Sequence, residues 1–391
     1  MPTLPPEIWR DIIQLATFLP VHFETSPDPN DWPTTRVPTG YKSSIITKKF
    51  LSLVSHQFHH IISEFLYEII HLEKLIQAQR LANGLDELAR TEGCYPGKWT
   101  RHMFVTVSIV DNGSAATHVT RILRHCDHLV GFSWSWQGSW QVGNWDTEQI
   151  KMMEAIPDGV QYLDCKSVIV RNSATKPFFA RISPSLLAMR ISDPKVDETG
   201  LLEAQFLHLT HLDLSHLPPH CLMSMQNWGL NSLTCLSVSY IPIGSQFYQV
   251  LEAVGNSLVS LRLGTVMIPS EDFFSTILSL TKILEKFSYQ FERRLTRAWS
   301  TVEHHSSLCH ITCDIRNTVN SYETVMGDHW RSIEDHFMDL DTQRFPELTN
   351  VVICGVRHLQ THWITTDNIS RRLRAVVASL DKRRIEVTVV N

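Results

Sequence analysis

Twenty histidines and eight cysteines are the side chains of this 391-residue chain best suited to metal ligation or nucleophilic chemistry. Their densest grouping is His304-His305 with Cys309, His310 and Cys313. Zinc would take such imidazole and thiolate ligands in a tetrahedron. Position argues for another use. Leu308, Ile311 and Cys313 keep the spacing of a strand that recurs along the chain, which turns Cys313 into a core, and a free cysteine is ordinarily a small buried hydrophobe. Core packing is preferred, and no metal or other cofactor is assigned. His59-His60 reads as helix surface. The sequence contains no G-x-S-x-G elbow, no G-x-x-x-x-G-K-[ST] phosphate loop and no H-E-x-x-H site, so no catalytic residue is assigned and an enzyme is not the expected class.

Aromatic side chains offer recognition instead. Trp134, Trp136, Trp140 and Trp145 crowd one short stretch. Trp134 falls on the strand register and is expected in the core. Trp136 and Trp140 lie in what should be a turn, where tryptophan serves either as a binding hot spot or as packing of a long loop.

The elements that must position these residues change character along the chain. Ile8, Ile12, Leu15 and Leu19 recur at three- and four-residue steps and predict one amphipathic helix, stopped by Pro20. Residues 24–44 hold Pro27, Pro29, Pro33, Pro38 and Gly40 and are expected to form an inserted loop. A second helical stretch is expected from about Lys48 to Asn83, with Phe50, Leu51, Val54, Phe58, Ile61, Ile62 and Phe65 on a broad apolar face. A module this small and apolar cannot hide that face by itself and should dock on something.

From about residue 100 a strand pattern, L-x-x-L-x-L, repeats. Leu209/Leu212/Leu214, Leu233/Leu236/Val238 and Leu258/Leu261/Leu263 are its clearest copies. The middle apolar residue falls at 105, 132, 163, 189, 212, 236, 261, 287, 311 and 351. All but the last step lie in or beside the ~20–29-residue range of leucine-rich repeats. The longer last gap has room for a helix, and Tyr322–Phe337 reads as one. Helical runs between strands, such as Gln149–Ile156, Gly200–Phe206 and Phe247–Val254, complete a strand-then-helix unit. A helix near Ile369–Leu380 and a strand at Ile385–Val389 are expected to close the array.

Strand alternation makes the register explicit. Leu212, Leu214, Leu236, Val238, Leu261 and Leu263 should be buried, and Asp213, Ser237 and Arg262 should be exposed on one common face. That face, with Lys166 and Arg190 on earlier strands, is the candidate substrate surface, together with Trp136 and Trp140. Simple solvation explains the same polarity.

A composition 43% hydrophobic and 19% charged supports folded cores. The net charge of −5 gives no basic footprint for nucleic acid; the Arg371–Arg374 and Lys382–Arg384 cluster reads as the solvated face of a terminal helix. No apolar run is long enough to span a membrane. The start Met1-Pro2-Thr3-Leu4-Pro5 has no charged segment followed by an apolar one, and the cysteines form no C-x-x-C pair. Reduced thiols in the cytosol or nucleus are therefore expected.

The N-terminal part resembles the F-box. Leu4-Pro5-Pro6-Glu7-Ile8-Trp9-Arg10-Asp11-Ile12-Ile13 looks like the family's opening helix, Leu51 to Ile61 like its second, and Phe65 to Leu72 like its closing segment. Ser55, His56 and Phe58 stand where a cysteine, a basic residue and a tryptophan are usual, and the loop after the first helix is longer. The repeats lack the customary asparagine, whose place is held by Leu217, Ile241, Val266, Val168 and Val356. The likeness is closest to the fungal F-box proteins with degenerate leucine-rich repeats. It implies an α/β chain with an F-box-like helical domain at 1–75 and an irregular leucine-rich-repeat solenoid at 100–391, with parallel strands and convex-side helices. It further implies a non-catalytic substrate-recognition subunit of a Skp–cullin–F-box ubiquitin ligase. Leu4, Pro5, Ile8, Trp9, Ile12, Leu51, Val54, Phe58 and Ile61 would bind a Skp-type adaptor, and through it a cullin–RING ligase. The repeats would hold a substrate protein. A repeat scaffold without a ligase role is the alternative.

Overall fold

Short apolar-alternating runs joined by amphipathic ones dictate a strand followed by a helix, many times over. The computed structural model describes residues 4–19, 37–38, 40–91, 96–107, 112–135, 145–166, 169–170, 172–192, 195–196, 204–216, 222, 225–241, 244–266, 269–292, 295–315, 326–355 and 366–390. Two units make up the α/β chain, Met1–Gln205 and Phe206–Asn391.

The first unit opens with three helices, α1 (Pro6–Thr17), α2 (Tyr41–Ser52) and α3 (His56–Glu68). Strands and helices then alternate: β1 (Ile69–Leu72), α4 (Leu75–Thr91), β2 (His102–Val105), α5 (Asn112–Leu123), β3 (Gly131–Trp134), α6 (Trp145–Glu154), β4 (Tyr162–Lys166), β5 (Ile169–Val170), α7 (Asn172–Ile182), β6 (Ala188–Ser192) and β7 (Lys195–Val196). Strands β1, β2, β3, β4 and β6 pair in chain order, all parallel, with Ile70, Met103, Phe132, Leu163 and Met189 in one row. The two-residue strands β5 and β7 pair separately.

The second unit holds β8 (His211–Ser215), β9 (Cys235–Ile241), α8 (Gly244–Val254), β10 (Ser260–Val266), α9 (Phe273–Leu280), β11 (Lys286–Gln290), β12 (His310–Asp314), α10 (Met326–Met338), β13 (Asn350–Cys354), α11 (Thr366–Asp381) and β14 (Glu386–Val390). Its seven strands are also parallel and in chain order. Leu212, Leu236, Leu261, Phe287, Ile311, Val351 and Val387 form one row. Parallel neighbours cannot be joined by hairpins, so the chain must cross over between them, and most crossovers carry a helix.

The register expectation holds on its apolar side: Leu212, Leu214, Leu236, Val238, Leu261 and Leu263 are all buried. On the polar side it needs correction. Arg262 is exposed, but Asp213 is only 6% and Ser237 only 4% exposed. The two are direct partners across β8 and β9, and side chains on neighbouring strands, about 4.8 Å apart, shade one another.

Four further differences concern elements and their register. The stretch expected to be helical from Lys48 to Asn83 is two helices, a strand and a third helix, because Ile69–Leu72 pairs with β2. The segment 24–44, expected as loop, lies outside the described residues up to 36; helix α2 already begins at Tyr41, behind Gly40 at φ +89°, a left-handed conformation suited to glycine. In β2 the row residue is Met103 rather than Val105, which pairs with Trp134. A two-residue shift keeps the same face. The helix expected over Gly200–Phe206 is not formed at 204–206, where the Phe206 N–H donates to Trp228 O at 2.8 Å. The late helices and the last strand stand where the spacing puts them. Of the positions that replace asparagine, Ile241 and Val266 are buried, while Leu217, Val168 and Val356 lie outside the described residues.

One polar network ties the first helices of the repeat to each other. Asp86 on α4 accepts from Arg121 on α5 at 2.5 and 3.1 Å, and from His125 at 2.8 Å. These hydrogen bonds, first from His125 and then from Arg121, hold the carboxyl below its ordinary pKa. The group is partly exposed, so Asp86→Asn is expected to cost only about 1 kcal/mol, read as a lower urea midpoint at neutral pH. An unchanged midpoint would refute the clamp.

Candidate functional site

Helix α1 carries two apolar stripes. Pro5 and Pro6 start it without a side-chain cap, and Glu7 sits in the positive first turn. Ile13 turns inward to a core made with Ile61, Ile62 and Phe65 of α3, and Trp9, Leu51, Phe58 and Leu66 pack against that core. The Trp9 and Phe58 rings lie 5.0 Å apart. Ser55 caps α3, its hydroxyl accepting the Phe58 N–H at 3.2 Å. The Thr17 carbonyl accepts the Ser44 hydroxyl at 3.0 Å and fastens the end of α1 to α2. Arg10 pairs with Glu64 on the outside of the module.

The second stripe faces out. Leu4, Ile8 and Ile12 are exposed, Leu15 is 81% exposed, and Phe18, just past the helix, is 66% exposed. Helix α2 adds Ile46 and Phe50, and the turn after it adds Leu53 and Val54. Nine of the fourteen large apolar side chains exposed among the described residues therefore precede residue 55. Scattered surface leucines are ordinary, and such a concentration makes this face the candidate binding surface.

The residues expected to meet an adaptor divide accordingly. Leu4, Pro5, Ile8, Ile12 and Val54 are exposed. Trp9, Leu51 and Phe58 are half-buried against the module's core, and Ile61 is buried within it; these four support the face from behind. Leu15, Phe18, Ile46, Phe50 and Leu53 belong to the exposed set but are not among the nine residues expected to meet an adaptor. Their signal was there: Ile46, Phe50 and Leu53 keep helical spacing, which a helix begun at Lys48 concealed.

Compared with known families and with curated proteins, the chain matches no family model and no curated protein.

On the expected substrate surface, Lys166 and Arg262 are exposed, Arg190 is half-buried and Asp213 is buried. Arg190 is the strand partner of Asp164 in the first unit, and Ser237 joins Asp213 to Arg262 in the second. Trp136 and Trp140 lie outside the described residues. Trp134 is buried, stacked near Phe132 as the register requires.

Side chains with chemical potential are engaged locally. Cys313 faces the core of β12, and burial pushes its thiol well above the usual range; burial likewise pushes Cys126 up to about 12. Such thiols stay protonated and are poor nucleophiles. His305 donates to Thr281 O at 2.9 Å, His310 meets the Thr312 hydroxyl at 3.1 Å, and the Cys309 thiol points to Glu285 O. Among the described residues no three His, Cys, Asp or Glu side chains converge so as to hold a metal ion. Nor, among them, is any helix long and apolar enough to cross a membrane.

Proposed function

We propose that this chain is the substrate-recognition subunit of a Skp–cullin–F-box ubiquitin ligase, working in the cytosol or nucleus. Its N-terminal helices are an F-box that binds a Skp-type adaptor, and its leucine-rich repeats hold the substrate protein. The outward stripe of α1 and the exposed end of α2 carry this reading, since a module whose inner stripe already fills its own core has no use for a second one except a partner. The parallel strand arrays support the receptor half, because repeat proteins bind through extended surfaces of this kind. Transfer of ubiquitin belongs to other subunits.

Calorimetry of the full chain against a panel of Skp-type adaptors tests the proposal. Ile8→Asp and Val54→Asp place charge on exposed positions and are expected to weaken binding by at least about tenfold while leaving the circular dichroism unchanged. Phe58→Ala is the poorer probe, because Phe58 packs on Trp9 inside the module. A folded chain that binds no adaptor at micromolar concentrations would leave a repeat scaffold without a ligase role as the better account.

A further inference from the structure

On the polar face of the second unit, opposite the row of Leu236, Leu261 and Phe287, Arg262 stands at the centre of a grid set by strand pairing. Ser237 lies directly beside it on β9 and Ser288 on β11. On its own strand Ser260 precedes it and Gly264 follows, both on the same face by the period of two. Lys286 is the strand partner of Ser260, so it lies diagonal to Arg262, roughly 8 Å away at Cα from the strand spacing and a two-residue rise. None of these positions holds a carboxylate, although the whole chain has a net charge of −5.

The polar groups around this centre are unsatisfied. Arg262 is exposed, and its guanidinium has neither hydrogen bond nor ion pair among the described residues. The hydroxyls of Ser237, Ser260 and Ser288 also have no hydrogen-bond partner among them. Ser237 is only 4% and Ser260 only 8% exposed, so little water reaches either. Hydroxyls nearby behave otherwise: Ser239 is bonded to Ser215 at 3.0 Å, and Thr312 to His310 at 3.1 Å. A shaded hydroxyl without a partner carries a cost that a bound acceptor removes. A guanidinium and three hydroxyls can all donate to one oxyanion. Lys286 already has an interaction of its own, so the uncommitted charge is the single one of Arg262.

We infer that Arg262, with Ser237, Ser260 and Ser288, binds a carboxylate side chain on a segment of the substrate protein. The inference rests on the reading of the repeats as the receptor half, and it names what the substrate presents: one aspartate or glutamate between small residues. The paired N–H groups of the guanidinium match the two carboxylate oxygens, and its one charge matches theirs. The serines and Gly264 are small enough to let that group reach the sheet. Asp213 on β8 and Asp314 on β12 each lie two strands from Arg262. They repel a carboxylate displaced to either side and so fix its place along the array.

The probe is a rhodamine-labelled, acetylated hexapeptide of glycine and serine around one central glutamate, titrated with the full chain by fluorescence anisotropy. Companion peptides carry glutamine or phosphoserine in place of the glutamate. Saturable binding of the glutamate peptide is expected, and none of the glutamine peptide. Arg262→Glu should weaken it by at least about tenfold, and Ser288→Asp should act in the same direction. Arg331→Glu reverses an exposed charge on α10 and should leave binding unchanged. Circular dichroism of all three variants should match the parent. The inference is overturned by no saturation up to about 1 mM, by equal binding of the glutamine peptide, or by equal effects of Arg262→Glu and Arg331→Glu. Tighter binding of the phosphoserine peptide also overturns it, since the site would then be one for phosphate. The adaptor titration separates the two readings. A chain that binds adaptor but not the glutamate peptide loses this inference alone, and one that binds the peptide but no adaptor keeps it on a repeat scaffold.

Discussion

Trp299→Ala is expected to destabilise the second unit by about 3–5 kcal/mol, the range for emptying a large buried aromatic site. Trp299 is fully buried. Its ring meets Phe274 at 4.6 Å between centroids, Phe345 at 5.4 Å and Tyr289 at 5.9 Å. Its indole N–H donates to His336 Nε2 at 3.0 Å. Strand β11, helices α9 and α10 and the β11–β12 crossover therefore converge on this one side chain. A fold of ordinary stability has only about 5–15 kcal/mol to lose, so the variant should unfold at markedly lower urea. Trp299→Phe separates the contributions: it keeps most of the packing and should cost about 1 kcal/mol for the lost hydrogen bond, plus a further cost for the void its smaller ring leaves. Were the alanine variant to lose no more than the phenylalanine one, the cluster would not be the core of the unit.

Acid should act on the same cluster through His336. Its Nδ1–H donates to Leu295 O at 2.7 Å, and a carbonyl can only accept, so Nε2 carries no proton. Nε2 then accepts from the Tyr289 hydroxyl at 2.6 Å and from Trp299. A neutral ring presents an acceptor to the indole N–H, whereas a charged one would turn a second N–H against that obligate donor. Burial is the main cause that lowers its pKa from 6.5 to about 4. In the unfolded chain the ring takes up a proton near 6.5. Between the two values the unfolded state binds the extra proton, so the stabilising contribution is complete above about pH 6.5 and is lost as pH falls through 4. The loss amounts to roughly 3 kcal/mol. His102 in the first unit is lowered to about 4 in the same sense, again chiefly by burial. Urea midpoints measured from pH 7.5 to 4 should fall in this window, and His336→Gln, which cannot titrate, should flatten the slope. An equal slope in parent and variant would remove His336 from the acid response.

Both predictions rest on residues that the strand pattern reached only partly. Tyr289 and Cys313 were legible as inward positions, because each sits two residues beyond a row residue, Phe287 and Ile311. Trp299 and His336 were not, since neither lies on a strand and nothing in their spacing says that a crossover and a helix bring them together. The docking face divides in the same way. An apolar N-terminal helical module was readable from its spacing, but α1 has apolar residues on both Trp9/Ile13 and Ile8/Ile12/Leu15, and each set satisfies a helical period. Only the packing of α3 against Ile13 decided which set turned inward.

What the sequence determined by itself is the repeating strand. Where one face is buried, a period of two leaves a single workable register, since a one-residue slip would put every leucine in water. That is why Leu212, Leu236 and Leu261 align in the structure as their spacing requires, and why the closing strand, expected at Ile385–Val389, is found at Glu386–Val390. Tertiary structure alone decided β1. Ile69, Ile70 and Leu72 are buried on both faces of the strand, so this apolar stretch, broken only by His71, fits a helix end equally well, and only pairing with β2 distinguishes the two. It decided the polar face as well: Asp213 and Ser237 alternate as solvent-facing residues should, yet each is covered by side chains from adjacent strands, a shading that depends on neighbours far away in sequence.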